Sequence, residues 1–505
     1  MDITVFRWAA ILAFVCLLIG VGIYSMRRTK TTADFFLGGR DVGPWISAFA
    51  YGTTYFSAVI FIGYAGKLGW GFGISTLWIA IGNAVVGSWL AWKVLARRTR
   101  MMTTKLGAMT MPEFLEARYQ CKGLKIASAV LIFIFLIPYC GSVFTGLGFL
   151  FENVLHIDYQ LSLIVMIVLT GIYLVMGGYF AVALTDFIQG LIMLAGVFLM
   201  VGNVFSQPEV GGFGGLLPKL AAIDPSLSKM IPDNWLPLAG LVFMTSVGVW
   251  GMPQMVQKYY AIKNEKVIHT ATIVATLFAI IIAGAAYGVG STVHLFYHEV
   301  PTDAAGNPAY NVLIPQLLER TMPEYLLIVI LLLVLSASMS TLSSLVLVSS
   351  SALTIDLIQG VFCPHMDKKH SITVLRLFCA LFIICSIVVA IFKLDFIIKL
   401  MSLSWGTISG AFLAPYIYGL FWKGTTKAGA WAGMIAGVLV SVVGSQLFPS
   451  ESLSPLVSSV AMVIPLVVVP LVSLCTRKFD AEHIQMVFGS VEQAEALAAA
   501  AKTEA

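Results

Sequence analysis

Nine consecutive residues, Ser336-Ala337-Ser338-Met339-Ser340-Thr341-Leu342-Ser343-Ser344, carry six hydroxyls near the end of a long apolar stretch. A single Ser or Thr there would bond back to its own helix and need no function. Six in nine exceed that requirement. Residues three and four apart share a helix face, so Ser340, Ser343 and Ser344 present oxygens in one direction. Neutral oxygens grouped this way suit a hard cation such as sodium, because they replace its water without burying a carboxylate.

Two further segments could supply oxygens from the backbone. Tyr51-Gly52-Thr53-Thr54-Tyr55-Phe56-Ser57-Ala58 and Thr245-Ser246-Val247-Gly248-Val249-Trp250-Gly251-Met252-Pro253 interrupt apolar stretches with Gly, Pro and small polar residues. Gly and Pro release carbonyls from the helical ladder. Asp186, in Ala183-Leu-Thr-Asp-Phe-Ile-Gln189-Gly190, is the sharpest ionisable residue. It reads either as an acid in the first turn of a helix, favoured by the dipole, or as a cation ligand or way-station at membrane depth.

The elements that must position these groups are set by composition. The 505 residues are 59% hydrophobic and 11% charged, with mean hydropathy +0.92. Soluble domains carry about 25% charged residues. About thirteen stretches reach the roughly 20 apolar residues a spanning helix needs: near 6–26, 44–66, 72–95, 126–150, 160–177, 183–204, 236–257, 269–294, 325–350, 372–392, 396–421, 428–447 and 454–475. The expected fold is an all-α polytopic membrane protein, since lipid offers no partner to open backbone groups. The alternating strands of a membrane barrel are missing.

The two interruptions fall in the second and seventh spans. They lie five spans apart, an odd number, so they enter the membrane in opposite senses, as an inverted five-helix repeat requires. Paired broken helices at matching positions point to a transport site near the midplane.

The net charge of +5 is read by position. With the N-terminus outside and the C-terminus cytoplasmic, the inward loops and span ends hold most of the basic residues. They include Arg27, Arg28, Lys30, Arg97, Arg98, Arg100, Lys258, Lys263 and Lys266, while Lys67, Lys219, Lys229 and Arg320 face outward. That bias follows the positive-inside rule and is a topology signal, not a nucleic-acid footprint. The first apolar run lacks a basic leader, so it reads as a retained span, not a signal peptide. Seven cysteines fall singly, without metal spacing, and read as packing residues. Thr110-Met111-Pro112-Glu113 matches a capping box for a short amphipathic helix on the cytoplasmic face. Long outward loops occupy 205–235 and 295–324, and a polar, then Ala-rich tail (Ala498 to Ala501) follows Asp480.

Four motifs in order resemble the sodium/solute symporter family, whose members carry proline, pantothenate, sugars or sialic acid. They are Asp34-Phe-Phe-Leu-Gly-Gly-Arg40, Thr185-Asp-Phe-Ile-Gln-Gly190, Met339-Ser-Thr-Leu-Ser-Ser344 and Trp422-Lys-Gly-Thr-Thr-Lys-Ala-Gly-Ala-Trp-Ala-Gly433. The resemblance implies a LeuT-type inverted repeat with broken helices 2 and 7. Its parts would be a first peripheral helix (1–30), repeats at 31–204 and 205–421, peripheral helices 12–13 (422–479) and a cytoplasmic tail (480–505). It implies a sodium site from the carbonyls of Thr53, Phe56 and Ala337 and the hydroxyls of Ser340 and Thr341. In some relatives a second sodium is held by an acid and serines, and Asp186, Ser343 and Ser344 match those positions.

Where this chain has Tyr55, the proline carriers have an acid, and they have aromatic side chains near Thr245 and Val249, which argues against proline. Tyr139 fits their pattern. The run Thr54-Tyr55-Phe56-Ser57-Ala58 is more like the pantothenate carriers. The substrate pocket is expected from Tyr55, Ser57, Tyr139, Ser142, Thr245, Ser246, Val249 and Trp250, with no Arg or Lys at its depth.

The function expected is sodium-coupled uptake, by alternating access, of a small organic solute: an amino acid, a vitamin such as pantothenate, or another small carboxylate. The partners are then the solute, sodium and the lipid bilayer of a cell inner membrane, with no nucleic acid and no obligatory protein partner. A proton-coupled carrier on the same fold is the nearest alternative. A membrane sensor is a further one, but the tail after Leu474 offers no signalling output. The sequence holds no nucleophile–base pair or HExxH motif, so an enzyme is not expected.

Overall fold

A computed structural model describes residues 3–26, 32–154, 157–302, 306–392, 397–489 and 492–493. Among these the chain is helical, and its β content is two isolated bridges. The principal helices are α1 (Ile3–Met26), α2 (Pro44–Tyr55), α3 (Leu77–Ala84), α4 (Met111–Tyr119), α5 (Lys122–Val154), α6 (Tyr159–Phe205) and α7 (Trp235–Gly248). They continue as α8 (Pro253–Tyr260), α9 (Lys266–Gly290), α10 (Glu324–Ser351), α11 (Lys368–Ile391), α12 (Ile397–Phe421), α13 (Lys427–Leu447) and α14 (Ser454–Leu474).

Eleven helical stretches among the described residues are long and apolar enough to cross a membrane, against the thirteen expected. Length alone merges elements. The run Val59–Lys105 is 47 residues long and holds the end of one expected span and the whole of the next. Gly73, at φ +52°, lies inside it. Helix α6 is also 47 residues long, and Gly178 interrupts it at φ +62°, ψ −166°, a conformation only glycine adopts at little cost. Asp186 therefore stands eight residues beyond the interruption, not in a first turn. The helix-dipole reading of this acid does not hold.

Burial sorts the helices into a centre and a rim. From Leu333 to Ser351 every residue of α10 is buried, and α12 is buried along most of its length. Helices apolar all round belong in a core. By contrast α1, α11 and α13 expose large apolar side chains, such as Leu12, Leu377, Ile384 and Leu439. That outward belt is what lipid would cover. Helices α2, α6, α8 and α10 pack on one another at the centre. Gly190 of α6 allows the closest of these approaches, since a Cβ there would meet the Phe49 ring and the Thr53 methyl of α2.

The expected short helix forms as α4, with Thr110 accepting from the Glu113 N–H at 3.2 Å and Glu113 accepting from the Met109 N–H at 2.7 Å. Burial raises the Glu113 carboxyl above its ordinary range. The long connections contain helices at Gly212–Ile223 and Leu313–Thr321. The polar segment after Asp480 is helical over 481–489, and His483 bonds to the Arg118 carbonyl at 2.9 Å. Arg27, Arg28, Lys30 and the Ala-rich end lie outside the described residues.

Candidate functional site

Helix α2 stops at Tyr55. Phe56 takes an extended backbone (φ −112°, ψ 116°), and helical structure resumes beyond Ser57. The last four carbonyls of a helix have no partner within it, and Thr53 and Thr54 are among these. The middle of α10 faces them. Ser340 Oγ lies 3.0 Å from the Thr53 carbonyl and 3.0 Å from the Ala337 carbonyl. Thr341 Oγ1 lies 3.2 Å from Thr53 O, 3.3 Å from Thr54 O and 3.1 Å from Ala337 O.

Two hydroxyls own two protons, yet these are five oxygen–oxygen contacts. Even with each proton shared between two acceptors, the carbonyl lone pairs are under-supplied. A cation at the centre removes that deficit, because it draws every lone pair toward itself. Calcium, a hard cation of similar size to sodium, holds oxygens at about 2.3–2.6 Å. Neighbouring ligands around such an ion stand roughly 3.4 Å apart. The cluster needs to open by only a few tenths of an ångström.

Four of the five residues expected at the first sodium site thus meet: Thr53, Ala337, Ser340 and Thr341. Phe56 is buried at the end of the same break. The carbonyl of Thr54 was not anticipated; it follows from the same unwound turn.

The seventh-span interruption lies across from the first. Helix α7 ends at Gly248, Val249 to Met252 are non-helical, and Pro253 starts α8. The Val249 N–H turns to Val247 O, which releases the Thr245 carbonyl. Tyr55 takes it, donating its hydroxyl to Thr245 O at 2.6 Å. One tyrosine thereby ties the two interruptions together.

A small cavity opens beside this bond. Its walls include Tyr55, Ser57, Asn83, Thr245, Tyr287 and Trp405. None of its lining residues is charged. Its free volume is about 20 Å³, close to what one water needs, so a solute requires a side chain or helix to move. Of the expected pocket residues, Tyr55, Ser57 and Thr245 line it. Tyr139 packs edge-on against Trp405, with ring centroids 5.9 Å apart. Ser246 contacts Asn83 at 3.2 Å, one step behind the wall. Ser142 bonds back to the Tyr139 carbonyl, and Val249 is buried beside the break. Trp250 donates to Val86 O at 3.1 Å and anchors the turn. Sequence reasoning missed Asn83, Tyr287 and Trp405. A lone amide within an apolar span was the available signal for Asn83.

A second polar cluster lies next to the first. Asp186 and Ser344, two residues expected to share a second sodium, are brought together, with Thr54 Oγ1 2.9 Å from Ser344 Oγ. A side chain placed by sequence among the inward loops joins them. Lys258 of α8 is buried, and its Nζ lies 3.4 Å from Asp186 Oδ2 and 3.1 Å from Ser344 Oγ. The inward-loop reading of this lysine is corrected: α8 restarts the chain inside the bundle instead of leaving it. Ser343 does not join the cluster, because its hydroxyl bonds to the Ser340 carbonyl at 2.8 Å.

Residues 35–437 match the model of the sodium:solute symporter family. The high-affinity proline transporter PutP of Bacillus subtilis (strain 168) is 30% identical over 446 residues, covering 87% of this chain and 92% of its own. The sodium/proline symporter of Staphylococcus aureus (strain bovine RF122 / ET3-1) is 30% identical over 460 residues, covering 86% and 84%. The solved structure of a Na+-coupled sialic acid symporter, substrate-bound and outward-open, superposes with a TM-score of 0.77 at 20% identity. That likeness covers 94% of this chain and 98% of the other, and it shows the fold.

Proposed function

Because the chain belongs to the sodium:solute symporter family, a family of multi-pass membrane transporters and not of enzymes, we propose that it couples sodium entry to uptake of a small organic solute through the α2 and α10 oxygen cluster. The observation that carries this is the proton deficit there: five oxygen contacts among Thr53, Thr54, Ala337, Ser340 and Thr341 share two hydroxyl protons. Sodium bound at that cluster, with Phe56 completing the set, joins the interrupted second span to α10. Joining them closes one wall around the cavity that Tyr55 and Trp405 line. The solute then binds more tightly, and by linkage sodium does so equally.

Alternating access would come from the repeats 31–204 and 205–421 moving against each other. Helices 1–30 and 422–479 stay peripheral, and the 480–505 tail is cytoplasmic. The N-terminus is outside in this reading, which rests on the basic-residue bias.

The energetics suffice with one ion. Moving a charge through 100 mV is worth about 2.3 kcal/mol. A tenfold sodium gradient adds about 1.4 kcal/mol. Together these sustain roughly 500-fold accumulation of a neutral solute.

The uncharged cavity wall favours a solute whose own charges cancel, such as an amino acid, or a small carboxylate whose charge faces the sodium. The named relatives act on proline. Tyr55, donating to Thr245 O where proline carriers have an acid, supports a different solute, with pantothenate-like vitamins among those to test. The test is thermal unfolding of the purified protein against amino acids, vitamins and small carboxylates, in sodium and in choline. A ligand of the folded state raises the midpoint by mass action. A true substrate should do so far more in sodium. A solute that stabilises equally in choline, and whose uptake follows a pH gradient alone, would instead make this a proton-coupled carrier.

A further inference from the structure

Lys258 stands where a second cation would stand. Its ammonium has three N–H donors and no acceptor, and three acceptors surround it: Asp186 Oδ2 at 3.4 Å, Ser344 Oγ at 3.1 Å and the face of the Tyr179 ring at 5.3 Å. Both charged side chains are shut off from solvent, at 1% and 0% exposure. Ser344 accepts from the ammonium, so its own proton is free for Thr54 Oγ1, 2.9 Å away. Thr54 neighbours Thr53, whose carbonyl belongs to the sodium cluster. The acid keeps one oxygen to spare, for Asp186 Oδ1 has no hydrogen-bond partner, and the same holds for both amide atoms of Gln189 one turn on.

We infer that Lys258 is a tethered cation that occupies a second cation position formed by Asp186 and Ser344, and that the protein therefore moves one sodium per cycle. This deepens the sodium-coupled reading and rests on it. An acid with a serine hydroxyl beside it is a donor set for a monovalent hard cation. Here the chain supplies that cation itself, from α8, the helix that restarts after the seventh-span interruption. The buried charges of Asp186 and Lys258 cancel. A sodium added to the same place would leave a net positive charge in a dry interior, which is strongly disfavoured. The tether also fixes geometry. It links α6, α8 and α10 through side chains and reaches α2 through Ser344 and Thr54, so one wall of the bundle is held whether or not a mobile ion is bound. With one mobile ion, accumulation of a neutral solute stays near the 500-fold limit given above and does not approach its square.

Equilibrium binding of radioactive sodium to the purified full-length protein, with thermal unfolding in NaCl and in choline chloride, tests this without knowledge of the solute. The wild type should saturate at one sodium per chain. Lys258→Met should saturate at two, melt early in choline, and regain most of the lost midpoint in NaCl. The double variant Lys258→Met/Asp186→Asn, neutral at both positions, should saturate at one. A wild type that binds two sodiums overturns the inference. So does a cooperatively melting Lys258→Met that still binds one. Where Lys258→Met does not fold, the double variant decides: one ion supports the tether, and none makes Asp186 a sodium ligand of the wild type. A wild type that binds no sodium sinks the α2–α10 site instead, and the tether is then judged by whether Lys258→Met gains one ion.

Discussion

Two polar clusters lie side by side at the centre of the bundle, and they solve opposite problems. The cluster of Thr53, Ala337, Ser340 and Thr341 is all neutral oxygen and short of protons. The cluster of Asp186, Lys258 and Ser344 holds both charges of an ion pair. In the reading proposed above, the first takes a cation from outside the chain, while the second holds the chain's own. Neutral oxygens bind a dehydrated ion reversibly, because the empty state leaves no uncompensated charge. A buried carboxylate cannot be left empty at so low a cost. The contrast separates an ion that can come and go from one that must stay.

The contrast breaks most visibly at the charged cluster. Removing one partner of a buried pair typically costs about 3–5 kcal/mol. Asp186→Asn leaves the Lys258 ammonium without its counter-charge, and sodium cannot help. Its thermal midpoint should fall by the same amount in NaCl and in choline chloride. Recovery of Asp186→Asn in sodium would mean that the lysine does not hold the cation position.

The neutral cluster should respond in affinity, not in stability. Ser340→Ala or Thr341→Ala removes one proposed ligand oxygen and leaves the carbonyls of Thr53 and Ala337 in place. A lost hydrogen-bonding partner to a charged group costs about 1.5–3 kcal/mol, which is roughly 10- to 150-fold in sodium half-saturation at normal expression. Ser343→Ala is the control within the run, since its hydroxyl turns back to its own helix, and it should shift sodium half-saturation far less. Equal effects at Ser340 and Ser343 would dissolve the distinction between the faces of α10.

How much of this the sequence carried differs between the clusters for a physical reason. The hydroxyl run was legible from its density, but helical spacing groups Ser340 with Ser343 and Ser344, and Thr341 was named only through the family resemblance. An interrupted span was legible through Gly52 and Ser57, and with it a supply of free carbonyls. Lys258 was not. A lysine at the inner end of an apolar stretch is ordinarily a topology signal, and only the burial of the whole of α8 shows that the chain stays inside the bundle after the turn at 249–252. Asp186 offered a hint, for an acid at membrane depth demands a partner, but the partner is 72 residues away in sequence. The cavity wall divides in the same way. Tyr55, Ser57 and Thr245 lie at the breaks and were found, Asn83 left only the signal of a lone amide in an apolar span, and Tyr287 and Trp405 reach the cavity from helices whose facing no local pattern reveals.

The smallest of these effects lies between the clusters, at Tyr55. Its hydroxyl bridges the two interruptions through Thr245 O and contacts neither proposed cation position. Thr245's own hydroxyl is engaged with Leu241 O in its own helix at 2.9 Å and cannot take over the lost bond. Tyr55→Phe therefore leaves one buried carbonyl without a donor, a cost of about 1 kcal/mol where a water can enter and nearer 3 where none can. The cavity beside it has room for about one water, so the lower figure applies. Sodium binding measured without solute should then stay within about threefold of wild type, as the oxygen cluster is intact. Solute half-saturation should rise by roughly fivefold, because the bridge shapes the wall on which the solute rests. A larger change in sodium binding than in solute binding would show that the bridge between the breaks belongs to the ion site, and that the two clusters are less separate than their chemistry implies.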